Sequence, residues 1–112
     1  MGRPRTRYKY EIPCAVVEIV RGLCADYERR ENAIKFSSIV GDVLERYVEL
    51  NRAIDRALEQ IEVGQRGHLI EDVAEGRGYN ASMCSVRFAK NTYYERKRKF
   101  IHDVAKELFL IP

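Results

Sequence analysis

The stretch AIKFSSIVGDVLERYVELNRAIDRALEQIE, residues 33–62, decides how this chain folds. Its apolar residues Phe36, Val40, Val43, Tyr47, Leu50, Ile54, Ala57 and Ile61 recur in alternating steps of four and three. That alternation is a heptad stripe, which a helix gathers onto one face. Glu45, Arg46, Glu49, Arg52, Asp55, Arg56 and Glu59 flank the stripe, and Ile39, Leu44 and Leu58 widen it. The spacing predicts one helix across the whole stretch. Two packings satisfy it. Either this is the long helix of an ordinary bundle, or Phe36, Val40, Val43, Tyr47, Leu50 and Ile54 form the seam of a homodimeric coiled coil.

Towards the N-terminus, Pro13 suits a first helical turn, and Val16, Val17, Val20, Leu23, Cys24 and Tyr27 predict a helix near 13–27. The charged cluster Glu28 to Glu31 reads as an exposed turn or an exposed turn of helix. Towards the C-terminus, Leu69, Ile70, Val73 and Ala74 predict a short helix near 66–75, ended by Gly76 and Gly78. Asn80 or Ser82 can cap a further short helix holding Met83, Val86 and Phe88. A last helix opens at Asn91 or Thr92 and runs to about Leu110. Ile101, Val104, Ala105, Leu108 and Ile111 form its buried face. With no alternating run of strand type, the expected fold is all-α: a helical bundle with a long central helix and a C-terminal helix-turn-helix-like unit. Residues 1–10 read as a flexible basic arm, 11–63 as a helical scaffold, and 64–112 as the helix-turn-helix-like region.

The net charge of +3 conceals a sharp sorting. Arg3, Arg5, Arg7 and Lys9 stand in the arm without an acid, whereas residues 10–76 hold eight basic and fourteen acidic residues. Residues 77–99 then hold seven basic residues against the single acid Glu95. Two basic ends around an acidic middle suggest two phosphate-contacting elements on a scaffold that leaves nucleic acid alone. Other classes fit poorly. No run is long and apolar enough to span a bilayer, and the arginine-rich start lacks a signal peptide's apolar core, so the expected address is cytoplasmic, with no membrane partner. Cys14, Cys24 and Cys84 have neither zinc nor redox spacing, and each reads as a small apolar residue. His68 and His102 lie far apart among charged neighbours, and Cys84 with His102 lacks a third orienting group. Gly76-Arg77-Gly78 is too short for a phosphate loop. The expectation is a non-enzyme with no catalytic residue, no metal and no cofactor.

Between Lys90 and Lys99 the last helix is basic, while its second half is apolar. A helix start offers free N–H groups and a positive dipole end to phosphate. Lys90, Lys97 and Arg98 are placed to neutralise backbone charge. Asn91, Arg96 and Lys99 have the donors to reach base edges in a major groove, with Thr92 facing the same way. Glu95 is placed to accept from a cytosine amino group or to pair with Lys99. Tyr94 is expected in the core, and Tyr93 at the edge with its hydroxyl on a phosphate. The arm, through Arg3, Arg5 and Arg7, would follow phosphate or enter an adjacent minor groove.

The run Thr92-Tyr93-Tyr94-Glu95-Arg96-Lys97-Arg98-Lys99-Phe100-Ile101, followed by Val104-Ala105-Lys106-Glu107-Leu108, resembles the C-terminal signature of the ArpU and RinA-like phage transcriptional regulators. Those families are similar in turn to region 4 of bacterial sigma factors. Weaker similarity extends upstream through Asn51 to Leu58 and the segment 66–75. The families usually carry Ser or a similar cap where Ala89-Lys90-Asn91 stands, and commonly a Gly where this chain has Phe109. The resemblance implies a sequence-specific, double-stranded DNA-binding regulator of phage or prophage type, with RNA polymerase as a further candidate partner; the homodimer is expected from the heptad stripe. A rival from another class uses the heptad helix 33–62 as its working surface. That is a helical assembly protein, including a small subunit of phage packaging type.

Overall fold

The computed structural model describes residues 11–112, and the basic arm, with Arg3, Arg5 and Arg7, lies outside them. Every regular element among the described residues is a helix, without a strand. Helix α1 spans Cys14–Ala25, α2 Tyr27–Phe36, α3 Gly41–Leu58, α4 Val63–Glu75 and α5 Lys90–Glu107. Two short 3-10 turns, Tyr79–Ala81 and Met83–Val86, lie between α4 and α5.

The single helix expected over 33–62 is two helices. Ser37 adopts an extended backbone after α2, and Gly41 takes a φ of +67° at the start of α3. A heptad count registers apolar spacing and is blind to that backbone requirement, which glycine meets without strain. Of the two readings of Glu28 to Glu31 the helical one holds, since the cluster lies in the body of α2 with Glu28 and Arg29 exposed, but Arg30 within it is buried. Its Nε donates to Asn51 Oδ1 on α3 at 2.7 Å, and its Nη2 donates to the Leu23 carbonyl of α1 at 2.5 Å. Burial pushes the guanidinium below its ordinary pKa while Asp26 opposes that shift. One charged side chain therefore joins three helices at their common corner.

Helix α1 packs on α4 and α5, and α3 packs on α5 and α2. The scaffold segment 11–63 and the segment 64–112 thus share one core. Val20, Ile54, Leu69, Val73, Phe100 and Val104 form its dry centre. Cys24 and Cys84 are buried as small apolar residues, burial pushing the Cys24 thiol up to about 12, whereas Cys14 is exposed. Every buried residue of α3 lies between Asn51 and Leu58, so its first half projects from the core with α2 alongside. The described residues measure 54 × 33 × 21 Å.

Contacts along α3 and α5 set their relative direction. Arg56 reaches Glu107 at 2.7 Å, while Gln60 reaches back to Asp103 at 2.9 Å and, through its carbonyl, to Arg96 at 3.2 Å. The two helices are antiparallel. The start of α3 overhangs the end of α5, and the start of α5 overhangs the end of α3.

Both long C-terminal helices end in the same backbone motif. Gly76, at a φ of +71°, lets the Arg77 N–H donate to the Asp72 carbonyl at 2.9 Å. After α5 the Leu110 N–H donates to the Ala105 carbonyl at 2.8 Å, and Phe109 occupies the left-handed position at a φ of +60°. Phe109 is 89% exposed, so no packing compensates that conformation. Phe109→Gly is expected to raise stability by about 1 kcal/mol, read by urea unfolding. Asn51→Ala, which strips a buried guanidinium of its acceptor, should lower it by about 3 kcal/mol in the same assay.

Candidate nucleic-acid interface

The basic helix α5 is fixed at its start by a buried carboxylate. Asp72, on α4, is fully buried, and its Oδ2 accepts from the Ser82 hydroxyl and from the Tyr93 hydroxyl, the latter at 3.0 Å. Ser82 in turn accepts from the Cys84 N–H at 2.9 Å, capping the turn Met83–Val86 as Ser82 was expected to do. Tyr79 adds a second tie: its hydroxyl donates to the Phe88 carbonyl at 2.6 Å, and its N–H donates to Tyr94 Oη at 3.1 Å. The short segment before α5 is held by these side chains, because a single 3-10 turn of four residues makes few backbone bonds of its own.

That arrangement corrects the assignment of the two tyrosines. Tyr93 is fully buried with its hydroxyl on Asp72, and it is Tyr94 that lies half-buried at the margin. Tyr93 is in step with Phe100 and Val104, a second inward row beside the row of Tyr94, Ile101 and Ala105. Helix α5 meets α1, α3 and both 3-10 turns, so its inward face is wider than one apolar row predicts.

The same width draws in cations. Lys97 falls between Tyr93 and Phe100 on the inward row, and its Nζ donates to the Arg77 carbonyl at 2.5 Å. Burial pushes Lys97 below the usual lysine pKa. Arg96 donates to the Gln60 carbonyl, and its guanidinium lies 5.3 Å from the centre of the Phe88 ring. Lys99 pairs with Asp103 at 2.7 Å, the partner one turn onward where Glu95 was the expected one. Arg96 and Lys99, expected at base edges, and Lys97, expected on phosphate, are therefore largely committed within the protein.

What faces solvent is the first turn and its approach. Lys90, Asn91 and Glu95 are exposed, and Thr92 and Arg98 are half-exposed. Arg87, in the turn just before the helix, is exposed as well; sequence reasoning counted it in the basic stretch 77–99 but assigned contacts only to the cations from Lys90 onward. Ala89 precedes α5 and no side chain accepts from its first N–H groups; the first turn carries no acid. Arg98 and Lys97 line a groove of about 300 Å³ with Glu11, Ile12, Val17, Tyr94 and Ile101. The chain therefore leaves the described region on the flank of α5, beside its basic half.

No family model, no curated protein and no solved structure matches the chain. Among the described residues no three His, Cys, Asp or Glu side chains gather as a metal site, and no helix is long and apolar enough to cross a membrane.

Tyr93→Phe separates the two roles considered for this side chain. Removal of a hydroxyl that serves the buried Asp72 should cost about 1–3 kcal/mol of stability. A phosphate-binding hydroxyl would instead be felt as weaker duplex binding by a protein of unchanged melting temperature, measured by calorimetry and anisotropy together.

Proposed function

We propose that the chain binds double-stranded DNA as a transcriptional regulator of phage type, presenting the start of α5 to the major groove and the arm to neighbouring phosphate. The observation that carries this reading is the open, uncapped start of α5 with Arg87, Lys90 and Asn91 exposed around it. Unsatisfied N–H groups and the positive end of the helix dipole favour an anion there, and the flanking side chains supply charge and bidentate donors. The overhang of this end beyond α3 keeps the acidic middle of the protein away from a polyanion. A second support is the position of Glu11 and Ile12 beside Arg98. Arg3, Arg5, Arg7 and Lys9 precede that point by a few residues, so they act within reach of the same duplex.

Roles follow from exposure. Lys90, Arg87 and Arg98 serve phosphate, Asn91 reaches a base edge, and Thr92 and Glu95 border the contact. Arg96, Lys97 and Lys99 act chiefly by holding α5 in place. This redistribution shortens the reading surface to the first two turns of the helix, the part that a groove-docked helix uses for base contacts.

Fluorescence anisotropy with a duplex selected from a random pool, titrated with salt, tests the reading. Asn91→Ala should cost about 1–3 kcal/mol on the selected duplex and little on a scrambled one. Replacing Arg3, Arg5 and Arg7 together by Ala should weaken both duplexes alike and reduce the salt slope by roughly 3. Absence of duplex binding at low salt would overturn the proposal.

A further inference from the structure

Of the residues expected at a dimer seam, Ile54 lies in the chain's own core and Tyr47 and Leu50 are half-buried. Phe36, Val40 and Val43 are exposed around the α2–α3 turn, among acids and bases alike. A second exposed apolar group stands in a segment whose charges have one sign. Met83 is 58% exposed and Val86 79%, in the turn that leads into α5. The two are three residues apart in a 3-10 turn, where side chains at that spacing eclipse one another, so they form a single apolar ridge. Their neighbours Ser82, Cys84 and Phe88 are buried. Ser82 on Asp72 and Tyr79 on the Phe88 carbonyl hold the ridge in place.

We infer, resting on the reading of α5 as a groove-docked helix, that Met83 and Val86 determine part of its sequence preference by packing on the C5-methyl groups of thymines. Charge complementarity selects that occupant. Residues 76–94 contain Arg77, Arg87 and Lys90 and no acid, and the carboxylate bonded to this segment, Asp72, is buried. Arg87 follows Val86 directly and is exposed with it, and Lys90 opens α5 four residues on. An uncharged apolar partner would leave these cations unmatched. A major groove matches both features, since phosphates border it and thymine is the base that presents a methyl group inside it. An anionic bilayer also offers charge beside hydrocarbon, but adhesion there scales with buried apolar area, and a ridge of two side chains supplies little. Reach sets the position of the contact. Val86 precedes Asn91 by five residues, at most about 17 Å of chain, so the thymine lies within about five base pairs of the base that Asn91 reads.

Replacing each thymine of the selected duplex in turn by deoxyuridine removes the methyl group and leaves pairing and phosphate intact. Anisotropy with the full chain should then show wild-type binding weakened about fourfold at one or two positions, the loss expected for one buried methyl group. Val86→Ala or Met83→Ala should weaken binding to the unmodified duplex by a similar factor and make it indifferent to deoxyuridine at those positions. Both variants should melt as the wild type does, since these side chains already face water. Asn91→Ala should bind more weakly yet keep its response to deoxyuridine. Wild-type binding that no replacement weakens, or a response that survives in both alanine variants, would overturn this inference alone. Absence of binding to any duplex would overturn the reading of α5 together with it. Co-sedimentation with phosphatidylglycerol vesicles that Val86→Ala abolishes would overturn it in favour of a membrane surface.

Discussion

The Asp72 carboxylate is the point on which the C-terminal half is hung. It is fully buried, and its partners come from three places along the chain: Ser82 at the 3-10 turn, Tyr93 on α5, and Arg77, whose guanidinium lies 3.5 Å from the second oxygen. A buried carboxylate is costly unless it is bonded, so the geometry that bonds it is favoured over nearby alternatives. The segment from Gly76 to Ala89 has no regular helix to stiffen it. Its path is set by where Ser82 and Tyr79 must place their hydroxyls, and the start of α5 inherits that path. The exposed end with Lys90 and Asn91 is consequently a rigid feature, although the turn leading into it is short.

A second buried polar centre plays the corresponding part at the other end. Arg30 and Asn51 hold α1, α2 and α3 together at a corner from which the hairpin projects. The Asn51 amide also donates to the Tyr27 carbonyl and to Glu31, each at 3.2 Å. Beyond that corner the hairpin is supported by α2 on α3 alone. The molecule is therefore a packed body with one two-helix projection, and each of its two polar centres orients one of the two ends that face outward.

Much of the fold was legible. The apolar rows of α1, α4 and α5 announce themselves by period, and Gly76 marks the end of α4. The break at residues 37–40 was not, because Phe36 and Val40 keep a helical spacing across a turn that Gly41 permits. Tyr93 and Tyr94 were exchanged for a related reason: adjacent residues lie about 100° apart on a helix, and either can be inward when the buried face is wide. The width came from α1 and the 3-10 turns, contacts that a single helical pattern does not encode. For the same reason the cationic run looked more open in sequence than it is. Arg96, Lys97 and Lys99 are long side chains, and their charged ends travel to Gln60, Arg77 and Asp103 while their stems cover apolar surface. Formal charge on a helix is a poor guide to cation availability when carbonyls and carboxylates of neighbouring elements lie within reach.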